Sequence, residues 1–149
     1  MKEERMAAAH LGEHPGDYLH AVVPPVFLNS LHVFDCYEDY KNREETGAFV
    51  YGRDANPTVE ILEQKVAALE EGAAGIAFAS GMAAAPAAIL ATCRAGSHII
   101  CMRDVYQPVK TILHQYLIPN LGMSVSFWDG LELDRLEGMI TEKTSLILL

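Results

Sequence analysis

Apolar residues recur at three- and four-residue spacing in several stretches of the chain, a pattern typical of helices with one buried face. Prolines stand near the start of two stretches and glycines follow three of them, as expected for helix boundaries. The stretch that begins at Met82 is rich in alanine and predicts a largely buried helix. The predicted helices begin at Thr58, Met82, Pro108 and Leu133, and they end before Gly72, Gly96 and Gly122 and at Ile140.

Short apolar segments lie between these helices. They occupy residues 76–79, 98–102, 124–127 and 146–149, which gives the order β-α-β-α-β-α-β. Buried strands that alternate with helices predict a mostly parallel sheet with helices on both faces. The fold class is therefore α/β, a three-layer arrangement.

The N-terminal third has no such alternation. Residues 1–17 are polar and predict a loosely held arm, and Pro24-Pro25 favours extended backbone over residues 18–34. Residues 35–46 carry mixed charges and predict a loop. We therefore expect an extended arm and loop over residues 1–48 and the first part of an α/β domain over residues 49–149, a domain truncated at its C-terminus.

Composition excludes several classes of protein. The 149 residues are 50% hydrophobic, which is enough for a packed core and argues against wholesale disorder. A net charge of −9 disfavours nucleic acid as a partner. Three cysteines form no disulfide or zinc pattern, and neither a secretory signal nor a convincing membrane span is visible, so we expect a cytoplasmic protein.

The junction Ser80-Gly81-Met82 is the first candidate site, because a predicted strand ends there and a helix begins. Helix N-termini have free amides and partial positive charge, and a glycine lets a ligand approach the backbone. Taken alone, the junction is equally consistent with a phosphate site and with a tight turn that binds nothing. The chain has neither the G-x-G-x-x-G nor the G-x-x-x-x-G-K-[ST] nucleotide loop.

Two further sites combine aromatic and charged residues. Tyr51 and Arg53 lie two residues apart, so in extended backbone they point to one side and could bind one anion; the alternative is Arg53 paired to a nearby carboxylate. Tyr106 follows a predicted strand at its carboxyl end, where open α/β sheets bind ligands and where an aromatic ring could cover a flat group or simply pack.

Two other patterns are weaker. His10-Leu11-Gly12-Glu13-His14 matches the H-x-x-E-H zinc motif, but Gly12 and the following proline argue against the helix that this motif requires. His98 and Cys101 lie on one predicted strand and point to opposite faces, so we expect a buried thiol rather than a nucleophile pair. We predict no metal site.

Taken in order, these motifs resemble the Cys/Met-metabolism family of pyridoxal 5'-phosphate (PLP) enzymes, which contains cystathionine synthases and lyases, methionine γ-lyase and homoserine-ester sulfhydrylases. The resemblance covers most of the chain. The matching segments are Val23-Pro24-Pro25-Val26-Phe27, Tyr51-x-Arg53-x-x-Asn56-Pro57-Thr58, Leu62-Glu63, Leu69-Glu70, Ser80-Gly81-Met82-Ala83-Ala84 and Asp104-Val105-Tyr106.

The resemblance implies the N-terminal part of a PLP-dependent transferase (fold type I) major domain, a small amino-acid substrate, and a homo-oligomer, dimer or tetramer. It implies that Ser80, Gly81 and Met82 bind the cofactor phosphate, and that Tyr106 stacks on the pyridine ring and is a catalytic residue that helps to move protons. It further implies that Tyr51 and Arg53 reach the phosphate of the neighbouring subunit.

The activity implied is that of a PLP-dependent lyase or transferase of trans-sulfuration, with elimination or replacement at the β or γ carbon of cystathionine, methionine or a homoserine ester. None of the lysines lies in the family's S-x-T-K context, so the isolated chain is expected to be inactive. After Tyr106 the chain has Gln107-Pro108-Val109, where the family usually has a Gly-Gly-Thr run, which leaves the substrate subclass open. The alternatives are an inactive truncated remnant and a flavodoxin-like phosphate-binding domain.

Overall fold

The computed structural model describes residue 6 and residues 8–149. By their internal contacts the residues divide into two units, Met1–Ala77 and Phe78–Leu149. The predicted boundary after residue 48 falls inside the first unit and stays a prediction. Within the described residues, no helix is both long and apolar enough to span a membrane.

The first unit is mostly irregular chain around one long helix. It has a short 3-10 turn at Pro15–Tyr18, two short helices, α1 (Tyr37–Lys41) and α2 (Arg43–Thr46), and the long helix α3 (Pro57–Leu69). Helix α3 begins at Pro57, one residue before the predicted start, because the Asn56 side chain accepts from the Thr58 amide and Pro57 fits the first turn. Its apolar residues Val59, Leu62, Val66 and Leu69 nevertheless remain largely exposed.

The loop predicted over residues 35–46 is wrong, since α1 and α2 occupy most of it. Helix α1 has acidic residues in its first turn and Lys41 at its end, which complements the helix dipole, and α2 has Glu44 and Glu45 in its first turn. At five and four residues they are too short to show an apolar period, and Gly47, with φ of 68°, ends the second.

The second unit is a parallel sheet with helices. It contains α4 (Gly81–Thr92), β1 (His98–Met102), α5 (Gln107–Ile112), α6 (Ile118–Leu121), β2 (Ser124–Trp128), α7 (Leu133–Met139) and β3 (Thr144–Leu148). The strand order is β2-β1-β3, and both pairings are parallel, with His98 aligned to Ser124 on one side and to Thr144 on the other. The predicted parallel α/β arrangement is confirmed for these three strands.

A π-helical segment, Leu113–Leu117, joins α5 to α6, so the helix predicted from Pro108 continues to Gly122 with a local widening. Pro119 has no amide to donate to the carbonyl four residues earlier, which is a physical reason for that widening. Leu113 and Leu117 are fully buried in the core. That core joins α4, β1 and this long helix through Ile89, Cys93, Ile99, Cys101, Val109, Leu113, Leu117 and Met123.

The strand predicted over residues 76–79 is absent from the described structure. Ile76 is 78% exposed, and the Ala77 amide donates to Glu63 Oε1 at 2.7 Å instead of to a neighbouring strand. Gly75 lies close against α3, where a Cβ would come within 2.7 Å of the Glu63 carbonyl oxygen. The segment is apolar, but its backbone bonds to a side chain of α3, and no strand of the described sheet lies beside it. A strand forms only where it has such a neighbour.

Candidate functional site

The candidate phosphate site begins where α4 begins. The Ser80 hydroxyl accepts from the Ala83 amide at 3.1 Å and caps the helix, as a serine at this position commonly does. Because the first helical amides have no intrahelical acceptor, the N–H groups of Gly81 and Met82 can donate to a ligand. A Cβ built on Gly81 would meet nothing within 4 Å, so the backbone is open to approach.

The start of α4 and the segment before Tyr106 both pack against the core of the second unit. The Met82 side chain packs against the core cluster of the second unit, and so does Val105, the residue before Tyr106. Tyr106 itself follows β1 at its carboxyl end and precedes α5, and its side chain is 67% exposed. Its ring is therefore free to lie against a ligand rather than being buried in the core, which was the competing interpretation.

Tyr51 and Arg53 lie in the first unit and touch each other. The Arg53 guanidinium carbon lies 4.7 Å from the centre of the Tyr51 ring, a cation–π distance. Arg53 Nε is 3.6 Å from Asp54 Oδ1, but the arginine side chain remains 79% exposed, so this surface ion pair is weak. Arg53 therefore has a carboxylate neighbour and remains exposed, and its role in binding an anion stays a prediction.

A cavity of about 480 Å³ lies beside Arg53 in the first unit. Its lining includes Gly52, Asp54 and Asn56 together with the acidic residues Glu60 and Glu63. Sequence reasoning noticed Asn56 and Thr58 only as part of a motif. Their side chains hydrogen-bond to the backbone of Phe27. An asparagine directly before a proline was the sequence signal that could have identified the helix cap.

No helix spans the zinc motif at residues 10–14. Residues 8–10 are helical, but Gly12 adopts a φ of 75° and His14 lies outside the helix, so the two imidazoles do not share a helical face. Glu13 instead accepts from Lys65, whose ammonium also donates to the Ala9 carbonyl. This hydrogen bond holds the pKa of Glu13 below its usual range, with a smaller contribution from His10 and against the opposing effect of desolvation.

The prediction of a buried Cys101 is confirmed. Its side chain is fully buried in the core, and burial raises the pKa of the thiol against a weaker opposite effect from Lys110. His98 bonds instead to two neighbouring strands, with Nδ1 2.8 Å from Thr144 Oγ1 and Nε2 2.9 Å from Ser126 Oγ. Both groups are structural parts of the sheet.

Comparisons with known proteins show relatives along most of the chain. The profile of the family described as Cys/Met metabolism PLP-dependent enzyme matches residues 6–149. The chain is 37% identical over 143 residues to L-methionine gamma-lyase from Pseudomonas deceptionensis, covering 94% of this chain and 35% of the relative. It is 36% identical over 141 residues to human cystathionine gamma-lyase, covering 94% of this chain and 33% of the relative.

A solved structure has the same fold. The metY protein from Campylobacter jejuni superposes with a TM-score of 0.84 at 27% identity, over 97% of this chain and 36% of that chain, and it contains N'-pyridoxyl-lysine-5'-monophosphate. The chain thus spans about a third of the length of the relatives it matches. A family profile that matches nearly the whole chain, on a fold type I framework, shows that the chain belongs to the Cys/Met-metabolism family of PLP-dependent enzymes.

Proposed function

We propose that this chain forms the N-terminal part of a PLP-dependent lyase or transferase acting on sulfur amino acids or homoserine esters. The observation that carries the proposal is the open start of α4, where Gly81 leaves the helical amides accessible and Ser80 caps the turn. This arrangement suits a phosphate group, because free amides and the helix dipole both favour an anion. The family match contradicts the flavodoxin-like alternative.

The roles of the chain's own residues follow from this placement. The amides of Gly81 and Met82 would bind the phosphate, with the Ser80 hydroxyl beside them. The exposed ring of Tyr106 would cover one face of the cofactor ring and help to move a proton. PLP supplies an electron sink for breaking bonds at the substrate's α, β or γ carbons.

Tyr51 and Arg53 would complete the phosphate site of a second copy of the chain. A guanidinium supported by an aromatic ring is well suited to phosphate, and this pair is already formed and exposed. The uncovered apolar residues of α3 support association with further protein surface. The protein is therefore proposed to act as a homo-oligomer, a dimer or tetramer. Its proposed location is the cytoplasm, because its three cysteines form no disulfide pattern.

The phosphate site can be tested with pyridoxamine 5'-phosphate, which has no aldehyde and so does not react with lysines. We expect the chain to bind this compound more tightly than pyridoxamine, which lacks the phosphate, in a fluorescence titration. Gly81→Val places a branched side chain in the open space and should abolish the difference. Gly138→Val is the matched control, since Gly138 also has open space around it in a helix of the same unit. Equal loss in both variants, or no preference for phosphate, contradicts the proposal.

Arg53 is tested in the same titration. Loss of a desolvated charge-assisted contact should weaken cofactor retention by roughly 2 to 4 kcal/mol in Arg53→Ala, in an assembly that contains the complete site. Unchanged affinity would remove Arg53 from the site.

The isolated chain is proposed to be catalytically inactive. Its five lysines are Lys2, Lys41, Lys65, Lys110 and Lys143, and none follows the family's S-x-T pattern. Borohydride reduction in the presence of PLP should therefore leave no stoichiometric adduct at a single lysine, as measured by peptide mass spectrometry. A full adduct on Lys110 or Lys143 would contradict this and would identify a reactive lysine within the chain. If the chain neither binds the phosphate compound nor forms an adduct, the alternative of an inactive remnant is favoured.

A further inference from the structure

Two side chains at the start of α3 bind the backbone amide and the backbone carbonyl of one arm residue. The Phe27 amide donates to Thr58 Oγ1 at 2.9 Å, and the Phe27 carbonyl accepts from Asn56 Nδ2 at 3.0 Å. Asn56 Oδ1 already accepts from the Thr58 amide at 2.9 Å, so the donor end of its side chain must face the arm. Together, Asn56 and Thr58 form a two-point clamp on Phe27.

The arm meets the same part of the chain at a second place. Leu31 and Tyr51 form an antiparallel bridge, in which the His32 amide donates to the Val50 carbonyl at 3.0 Å and the Gly52 amide donates to the Ser30 carbonyl at 2.9 Å. A Cβ on Gly52 would lie 2.7 Å from the Asn29 carbonyl oxygen, so this approach requires glycine. The arm therefore pairs directly with the segment that carries Tyr51 and Arg53.

Aromatic packing supports the clamp. The Phe27 ring lies 6.0 Å from Tyr18 and 6.5 Å from His32, and the His32 ring lies 5.6 Å from Phe49, measured between ring centres. These contacts join the arm to the residues just before Tyr51. Local bonds alone hold the 51–55 turn weakly, through the amides of Asp54 and Ala55 to the Tyr51 carbonyl. Ordering a flexible backbone segment costs conformational entropy, so a segment held only by that turn would bind an anion less well.

We propose that Asn56 and Thr58 are positioning residues, which clamp the arm at Phe27 and thereby hold Tyr51 and Arg53 in the arrangement that binds phosphate. Neither residue touches the ligand in this scheme. Only the positioning of Tyr51 and Arg53 rests on the proposed function, because the clamp on Phe27 can be measured without any ligand. The clamp also gives a physical reason for the Asn-Pro-Thr order. Pro57 occupies the first turn of α3 and separates the two clamping residues by one position.

The clamp is tested by variants that spare the helix cap. Asn56→Asp keeps the oxygen that caps α3 but loses the donor to Phe27, and Thr58→Val loses the hydroxyl while keeping its shape. Amide hydrogen exchange at Phe27, His32 and Gly52 should become about fivefold faster or more in both variants, as expected for the loss of one hydrogen bond. Thr58→Ser should restore slow exchange. Thr111→Val is the control, because that hydroxyl bonds only to Gln107 within its own helix.

Positioning is tested by combining these variants with Arg53→Ala in the pyridoxamine 5'-phosphate titration. In an assembly that contains the complete site, Thr58→Val should weaken binding several-fold, and it should have a clearly smaller effect when Arg53 is already replaced, while the helical circular dichroism signal stays unchanged. Additive effects in the double variant overturn the positioning role. Unchanged exchange of the arm amides overturns the clamp. If Arg53→Ala leaves affinity unchanged, the proposed phosphate contact fails and the positioning role fails with it, whereas the exchange result still decides the clamp.

Discussion

Truncation of Ile89 tests the account of the core in the second unit. Ile89 lies on α4, is fully buried and belongs to the core cluster with β1 and the long helix. Ile89→Ala removes three carbons, which at about 0.8 kcal/mol per buried carbon is about 2.4 kcal/mol, and the cavity left behind raises the expected loss to about 3–4 kcal/mol. Ile89→Val should cost about 1 kcal/mol.

The adjacent residue offers a matched control. Leu90 lies on the same helix but is 49% exposed, so Leu90→Ala should cost about 1 kcal/mol or less. The assay is urea unfolding followed by fluorescence of Trp128, the only tryptophan in the chain, which is buried at the end of β2 and reports on this unit. Equal losses for Ile89→Ala and Leu90→Ala would refute the assignment of Ile89 to the core.

Two other predictions follow from named side chains. The exposed thiol of Cys36 should react with a thiol reagent at neutral pH, while the buried Cys93 and Cys101 should react only on unfolding, and more than one fast thiol would contradict the described burial. Because Lys65 lowers the pKa of Glu13 in the folded chain, their contact stabilises the N-terminal segment above the unfolded pKa of about 4.5 and is lost as the pH falls through the folded value. Proteolysis of that segment should therefore be faster at acid pH than at neutral pH. In Lys65→Met, cleavage at neutral pH should be as fast as cleavage of the native chain at acid pH. A cleavage rate of the native chain that does not change with pH would disprove the coupling.

The longer helices, from α3 onward, and three of the strands could be predicted from local pattern alone. Asn56 and Pro57 mark the start of α3 and Ser80 marks the start of α4, where the side chains of Asn56 and Ser80 cap the two helices. The buried run at residues 98–102 became the central strand. Caps and apolar periods involve residues three or four apart, so they are visible in the sequence.

The errors arose where the outcome depends on distant neighbours. Residues 76–79 have the composition of a buried strand, but a strand forms only if another strand lies beside it, and here Glu63 takes the Ala77 amide instead. The opposite error occurred at residues 37–46, where two helices of one turn are too short to show a period.

The amino-acid sequence by itself determined the order of elements from α4 to β3, the helix caps and the residues from which a phosphate site can be built, because these depend on neighbours a few positions apart. Tertiary structure alone decided that β1 lies between β2 and β3 and that Phe27 is clamped by Asn56 and Thr58. Strand order and the arm contact join residues 26 to 47 positions apart. Which distant groups meet is set by the burial and hydrogen bonding of the whole fold, and no local pattern encodes that choice.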